Sequence, residues 1–145
     1  MTLALVAPVT LHSEVILDGS LGPAVALNGP AYVVDADLGQ INGSNLFHSF
    51  VTFDLSSAES ATFTGPGSIS NVLGRVTGGS VSNIDGAINM QIPGANLYLV
   101  NPSGIVFGPN ATLNLSGSFH ASTAAAIRLG ENGSFDATNS GNSVL

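Results

Sequence analysis

The sequence predicts an all-β protein, a single domain in which short strands coil and stack as a parallel β-helix. Three observations lead there. The first is composition: the 145 residues are 44% hydrophobic and only 8% charged, with 18 Gly and a mean hydropathy of +0.41. Charge is about a third of the usual globular share of roughly 25%, so the polarity comes from Gly, Ser, Thr and Asn. Lysine is absent and Gln and Met are scarce, whereas β-branched and small polar residues favour strands and tight turns. Disordered chains are poor in Val, Ile, Leu and Phe, and this one is rich in them. Its length suits one domain with a real core, and no linker or charge run divides residues 1–145.

The second observation is a series of apolar runs with period-two patterning, separated by Gly and Asn turns. In order, the predicted strands are Val15–Leu17, Ala31–Val34, Phe50–Leu55 and Ala61–Phe63. Then come Val72–Val76, Ala87–Met90, Leu97–Val100, Ile105–Phe107 and Ala111–Leu115. The third is a self-similar beat, a Gly- or Asn-rich turn before an aliphatic pair and another turn. It recurs at Ser68–Gly74, Ser82–Ile88 and Asn110–Gly117. A β-sandwich also has short strands, but the beat favours the coil. Stacked coils lie about 4.8 Å apart, so uncharged Ser, Thr and Asn columns are tolerated where like charges would repel. At roughly 20 to 25 residues per coil, the chain makes about six rungs, with room for an N-terminal capping strand. Ser122–Leu129 is the one segment with helix potential, with Ser122 or Thr123 as N-cap and Gly130 beyond its end. The β pattern on both sides favours strand there.

Charge excludes whole function classes. Arg75 and Arg128 are the only cations against nine acidic residues, a net charge of -7, so neither nucleic acid nor an anionic membrane surface finds a partner. No window approaches the roughly 18 apolar residues of a membrane span. Without cysteine there are no disulfides, thiolate metal sites or thiol nucleophile. The apolar start, Met1 to Pro8, lacks a basic region and reads as the tail of a signal peptide or as a first strand.

Catalytic constellations are thin, and no cofactor is expected. His12, His48 and His120 read as surface or rung-packing residues. His48-Ser49 and Ser118-Phe-His120 are close in sequence, but neighbours on a strand point to opposite faces. Asp35 and Asp37 sit two apart on an expected strand, one face of which they would share as a catalytic or calcium pair. A solvated edge is the better reading, since glycoside hydrolysis needs two converging acids and lyase chemistry would want clustered cations. The four Asn-x-Ser/Thr sequons, at Asn42, Asn110, Asn114 and Asn132, carry little weight in so Asn-rich a chain. One segment stands out, Asn101-Pro102-Ser103-Gly104-Ile105, between two predicted strands. Pro102 presets φ, Asn101 bonds its own turn backbone and Gly104 accepts positive φ, so physics alone gives a well-made turn.

Asn101-Pro-Ser-Gly-Ile105 resembles the Asn-Pro-Asn-Gly-Ile motif of the two-partner-secretion (TPS), or haemagglutination-activity, domain of filamentous-haemagglutinin-like exoproteins, in its cyanobacterial branch. The match runs in order through Asn45, Phe47, Phe50 and Phe53, then Arg75-Val-Thr77-Gly-Gly79 and Asp85-Gly86. It continues through Asn96-Leu-Tyr-Leu-Val to Ala111–Phe119 and Ser122–Ala124. Ser103 stands where the family has Asn. The second family motif, Asn-Pro-Asn-Leu, is absent, its approximate place taken by Gly65–Asn71. The resemblance implies a right-handed parallel β-helix, monomeric and non-enzymatic, at the N-terminal part of a larger exoprotein. It would be recognised in the periplasm of a Gram-negative-type bacterium by the POTRA domains of a TpsB-type outer-membrane barrel transporter, and end secreted or on the cell surface. The alternatives are a stand-alone β-helical adhesin or carbohydrate-binding module, and then a polysaccharide lyase or hydrolase.

Overall fold

A computed structural model describes residues 13–145. His12 and the Met1–Pro8 segment lie outside the described residues. The strands are β1 (Val15–Leu17), β2 (Ala31–Val34), β3 (Gln40–Asn42), β4 (Asn45–Phe53), β5 (Ser60–Phe63), β6 (Asn71–Val76) and β7 (Ser82–Ile84). They continue as β8 (Ala87–Met90), β9 (Asn96–Val100), β10 (Ile105–Phe107), β11 (Thr112–Asn114), β12 (Phe119–Ser122), β13 (Ala126–Leu129) and β14 (Gly133–Asp136).

Three parallel sheets wind the chain into a solenoid. One runs β4-β6-β9-β12, the second β2-β5-β8-β11, and the third pairs β7 with β10. Leu55 adds a parallel bridge to Ile84 in the third. Each coil visits the second sheet, then the first, then the third, and four coils result; the first reaches the third sheet only through Leu55, and the last has no strand there. The expectation of about six rungs is corrected to four. The difference is spent outside the stack: β1 and β3 fold back antiparallel on β4, and residues beyond β12 leave the solenoid as the hairpin β13-β14.

Period-two alternation explains the interior. In β2, Tyr32 and Val34 are buried while Ala31 and Val33 face solvent, and in-register neighbours stack Tyr32 on Ala61 on Ile88. In the first sheet Leu46, Val72 and Leu97 form another inward column. Phe50 and Phe53 meet edge-on with ring centroids 5.1 Å apart, and with Tyr32 they place three of the four buried aromatic rings of the interior, the fourth being Phe63, in the first coil. The expected capping strand is β1, whose Val15 and Leu17 are buried against β4. With β3 it closes the edge of the first sheet that would otherwise present unpaired backbone. Ser122–Leu129 contains no helix: Ala126–Leu129 is strand, and Gly130 lies in the hairpin turn.

His48 is the anomaly of the core. It is fully buried against Phe50 and Phe63, and neither ring nitrogen has a hydrogen-bond partner. Burial pushes its pKa down to about 4, against a small opposing pull from Asp35. The imidazole is therefore neutral in the fold but charges in the unfolded chain below about 6.5. Its contribution is complete above that pH and is lost as pH falls from about 6.5 towards 4. At about 1.4 kcal/mol per unit the loss reaches about 3 kcal/mol. Urea unfolding at pH 7 and pH 5 checks this: His48→Leu flattens the dependence, and an unchanged slope contradicts it.

Candidate functional site

The Asn101–Ile105 turn is a corner of the solenoid, immediately after β9. The Asn101 side chain is 0% exposed. Its Oδ1 accepts the N–H of Ser103 at 2.9 Å, the local bond of an Asx turn. Its Nδ2 donates to the Ser80 carbonyl and to Ser82 Oγ, both at 2.9 Å, in the preceding coil. Its own N–H donates to Ser122 O at 2.9 Å in the following coil. The turn closes with the Gly104 N–H on Asn101 O at 3.0 Å, and Gly104 sits at a φ of +120°, a conformation reserved for glycine. Ile105 packs against the core beyond it. One buried residue thus ties three coils at one corner, its side chain reaching the preceding coil and its backbone N–H the following one. Ser103 enters the turn through its backbone N–H, so Ser in place of the family's Asn leaves this bond intact.

Asn45 and Asn96 belong to a ladder on the first sheet. Asn71 Nδ2 donates to Asn45 Oδ1 at 3.0 Å, and Asn96 Nδ2 to Asn71 Oδ1 at 3.1 Å. Asn96 Oδ1 then accepts the N–H and Oγ–H of Ser118, both at 2.9 Å. Sequence reasoning missed Asn71 as a member, although the partners recur at intervals of 26 and 25 residues. Asp85 and Gly86 form a separate corner. The Asp85 carboxylate accepts the Asn110 N–H at 2.8 Å and Nδ2 at 3.2 Å. At Gly86 a Cβ would lie 2.3 Å from Glu59 O and 2.6 Å from Ser56 O, both backbone atoms that cannot swing away. Gly86→Ala is expected to cost about 1–3 kcal/mol, read by urea unfolding; a change below about 0.5 kcal/mol would contradict the close fit.

The remaining motif residues meet on the outer face of the first sheet. Strand alternation sends Phe50 inward but turns Phe47 out, in register with Leu73 and Tyr98, and the bulge at Val51 resets the phase so that Phe53 also faces the core. These three are covered by the hairpin, whose Phe135 is buried and meets Phe47 edge-on at 5.0 Å. Arg75 lies on the same face, only 1% exposed. Its guanidinium donates to Ser49 Oγ (2.8 Å), Asp136 O (2.9 Å), Ser143 Oγ (2.7 Å) and Ser20 Oγ (3.1 Å). Its central carbon stands 4.6 Å above the Phe135 ring, within cation–π range. Behind it, Asp18 accepts the hydroxyls of Ser49 at 2.6 Å and Thr77 at 2.7 Å. Burial works to raise the Asp18 pKa, but bonds from Ser49, Ser20 and Thr77 outweigh it and hold the carboxyl below its usual range. Thr77, Pro102 and Ser103 also line one cleft of about 200 Å³ with Thr138, so the Arg75 segment and the motif corner are neighbours.

Two expectations are corrected. Asp35 and Asp37 do not share a strand face; Ala36–Leu38 is a single 3-10 turn that Asp35 precedes. Asp35 accepts the Thr64 hydroxyl at 2.7 Å, the dominant cause of its lowered pKa. Ser118 and His120, two residues apart, share a face and meet at 3.2 Å, while the His120 ring stacks on Tyr98 at 4.6 Å. Among the described residues no three His, Asp or Glu side chains gather as a metal site, and no helix is long and apolar enough to cross a membrane.

A solenoid whose polar side chains tie coil to coil, and whose outer face is covered by a hairpin, belongs to the class of β-solenoid domains. Within that class, the chain belongs to the TPS secretion domain family, which matches residues 14–145. It is also similar to the heme/hemopexin-binding protein of Haemophilus influenzae, with 34% identity over 82 residues, covering 57% of this chain and 9% of that protein. The chain thus spans a small part of that relative's length. Family membership places the domain in a two-partner system, in which a secreted protein has a cognate transporter.

Proposed function

We propose that the chain is the secretion signal and folding nucleus at the N-terminal part of a larger adhesin- or haemagglutinin-like exoprotein. The POTRA domains of a TpsB-type outer-membrane barrel recognise it in the periplasm while it is still extended. It folds as a monomer once outside, and does no chemistry of its own. The observation that carries this reading is the burial of Asn101. A side chain enclosed by Ser80, Ser82 and Ser103 offers nothing to a partner of the folded domain, so the motif acts through the fold and recognition precedes it. The free edges of β10, β11 and β12 add support, with Val106, Phe107 and Leu113 exposed where a further coil would stack. The heme and hemopexin binding of the relative belongs to a protein of which the matched stretch is 9%, and export is what that stretch supports.

Capture on purified POTRA domains tests the reading. Chain freshly diluted from denaturant is expected to be retained and folded chain to pass through. Equal retention of both, or of neither, overturns it.

A further inference from the structure

We infer that Asn45–Phe53, the sequence of β4, is the segment the transporter's periplasmic domain holds while the chain is extended, added as a strand to an apolar edge of that domain. This rests on the secretion reading above and names the residues through which it works. The first ground is what the segment is before anything covers it. Its nine residues include no charge, no Gly and no Pro, and hold three of the seven Phe of the chain. The next longest strand, β6, has six residues and contains Gly74 and Arg75. An exposed run of high β propensity without charge or Pro is an aggregation hazard. A chain that stays unfolded in the periplasm therefore needs a cover here, and an uncharged extended run with apolar side chains suits strand addition.

The second ground is what holding this segment does to folding. β4 pairs with β1, β3 and β6, more partners than any other described strand has. Occupying one of its edges keeps off either β6 or the β1 and β3 pair, so the first coil cannot close and later coils have nothing to stack on. In the folded domain no residue from Leu46 to Phe50 is more than 3% exposed. Capture and folding therefore compete for the same side chains, and completed folding releases the segment. The third ground is the face that is read. The pairing with β1 sets Phe50 opposite Leu17 and Thr52 opposite Ile16, and skips Val51. That bulge leaves Phe47 under the hairpin and Phe53 in the core. A regular extended strand has no bulge, and its period of two puts Phe47, Ser49, Val51 and Phe53 on one face. The held strand thus presents a Phe-Val-Phe row that the folded domain lacks. Val51 is 37% exposed after folding, so it is the member of the row whose substitution separates capture from folding.

Full-length variants diluted from urea onto immobilised POTRA domains of the cognate transporter test this. Val51→Asp sets a charge in the middle of the row and is expected to weaken capture by about tenfold or more, while the same variant left to refold reaches the wild-type circular dichroism. Phe47→Ser is expected to weaken capture to a similar degree. Val33→Asp, at a residue of β2 that is 53% exposed in the fold, is expected to stay within about twofold of wild type. Capture is read on the unfolded chain, so a variant that refolds poorly still reports on binding. Hydrogen exchange on captured wild type is expected to protect amides within 45–53 and to leave those of 96–107 open. The segment is overturned if denatured wild type is captured and Val51→Asp is captured equally well, if Val33→Asp loses as much as Val51→Asp, or if the protected amides lie outside 45–53. If denatured wild type is not captured at all, the secretion reading fails and the segment falls with it.

Discussion

Asn101→Ala is expected to lower secretion through the cognate transporter several-fold while leaving the affinity of the unfolded chain for the POTRA domains unchanged. The truncation removes three side-chain hydrogen bonds and orphans Ser82 Oγ, which is buried, whereas Ser80 and Ser103 are exposed residues whose backbone groups water can reach. The buried orphan costs about 1–3 kcal/mol and each lost hydrogen bond about 1 kcal/mol, partly offset by rearrangement, so the folded domain loses about 2–4 kcal/mol. The loss falls on a junction of three coils, where solenoid stability depends on nearest-neighbour interfaces. Asn101→Asp keeps Oδ1 but cannot donate to Ser80 and Ser82, and is expected to fall close to the alanine variant. Paired measurement of exported protein and of POTRA binding checks both halves. Normal export of Asn101→Ala would reduce the motif to an ordinary turn.

Arg75→Met is expected to be at least as damaging to stability, by about 3–5 kcal/mol, through a different route. Methionine fills much of the space but leaves Ser49, Ser20, Ser143 and the Asp136 carbonyl without their donor. It also removes the cation facing Asp18 and Asp136, both of which attract Arg75 electrostatically. Arg75→Lys keeps the charge but has one nitrogen in place of the guanidinium fork, so it recovers only part of the loss. The Asp18 pKa is depressed, so its contribution is present above the ordinary carboxylate range and fades as pH falls through the folded value. Urea titrations at pH 7 measure the ranking wild type, Arg75→Lys, Arg75→Met; equal stability of all three contradicts the network.

The strands were legible where one face is wet. Ala31–Val34 and Ala87–Met90 alternate, and the structure has strands at both places. Alternation failed in Asn45–Phe53, where five consecutive residues from Leu46 to Phe50 are buried. Both faces of that strand are covered, inside by the core and outside by the hairpin's side chains, Leu21 and Asp18, and two-sided burial erases the period-two signal. Phe47 therefore carried no mark of facing outward. Coil number was misread because the excursion through β3 and the departing hairpin have the same Gly- and Asn-rich composition as true coils. The motif corner was legible because its turn chemistry is local. The Arg75 network was not, since its side-chain partners lie 26 to 68 residues away. The Asn45-Asn71-Asn96 ladder lay between these cases: its spacing is regular, but the abundance of Asn hides it.

The most direct test of the central claim is export itself. A reporter fused after Leu145, behind a cleavable signal peptide, is expressed with and without the cognate outer-membrane transporter. The account predicts reporter in the medium only when both the domain and the transporter are present, and periplasmic reporter otherwise. Reporter that stays in the periplasm beside a functional transporter, or that leaves the cell without one, would contradict it.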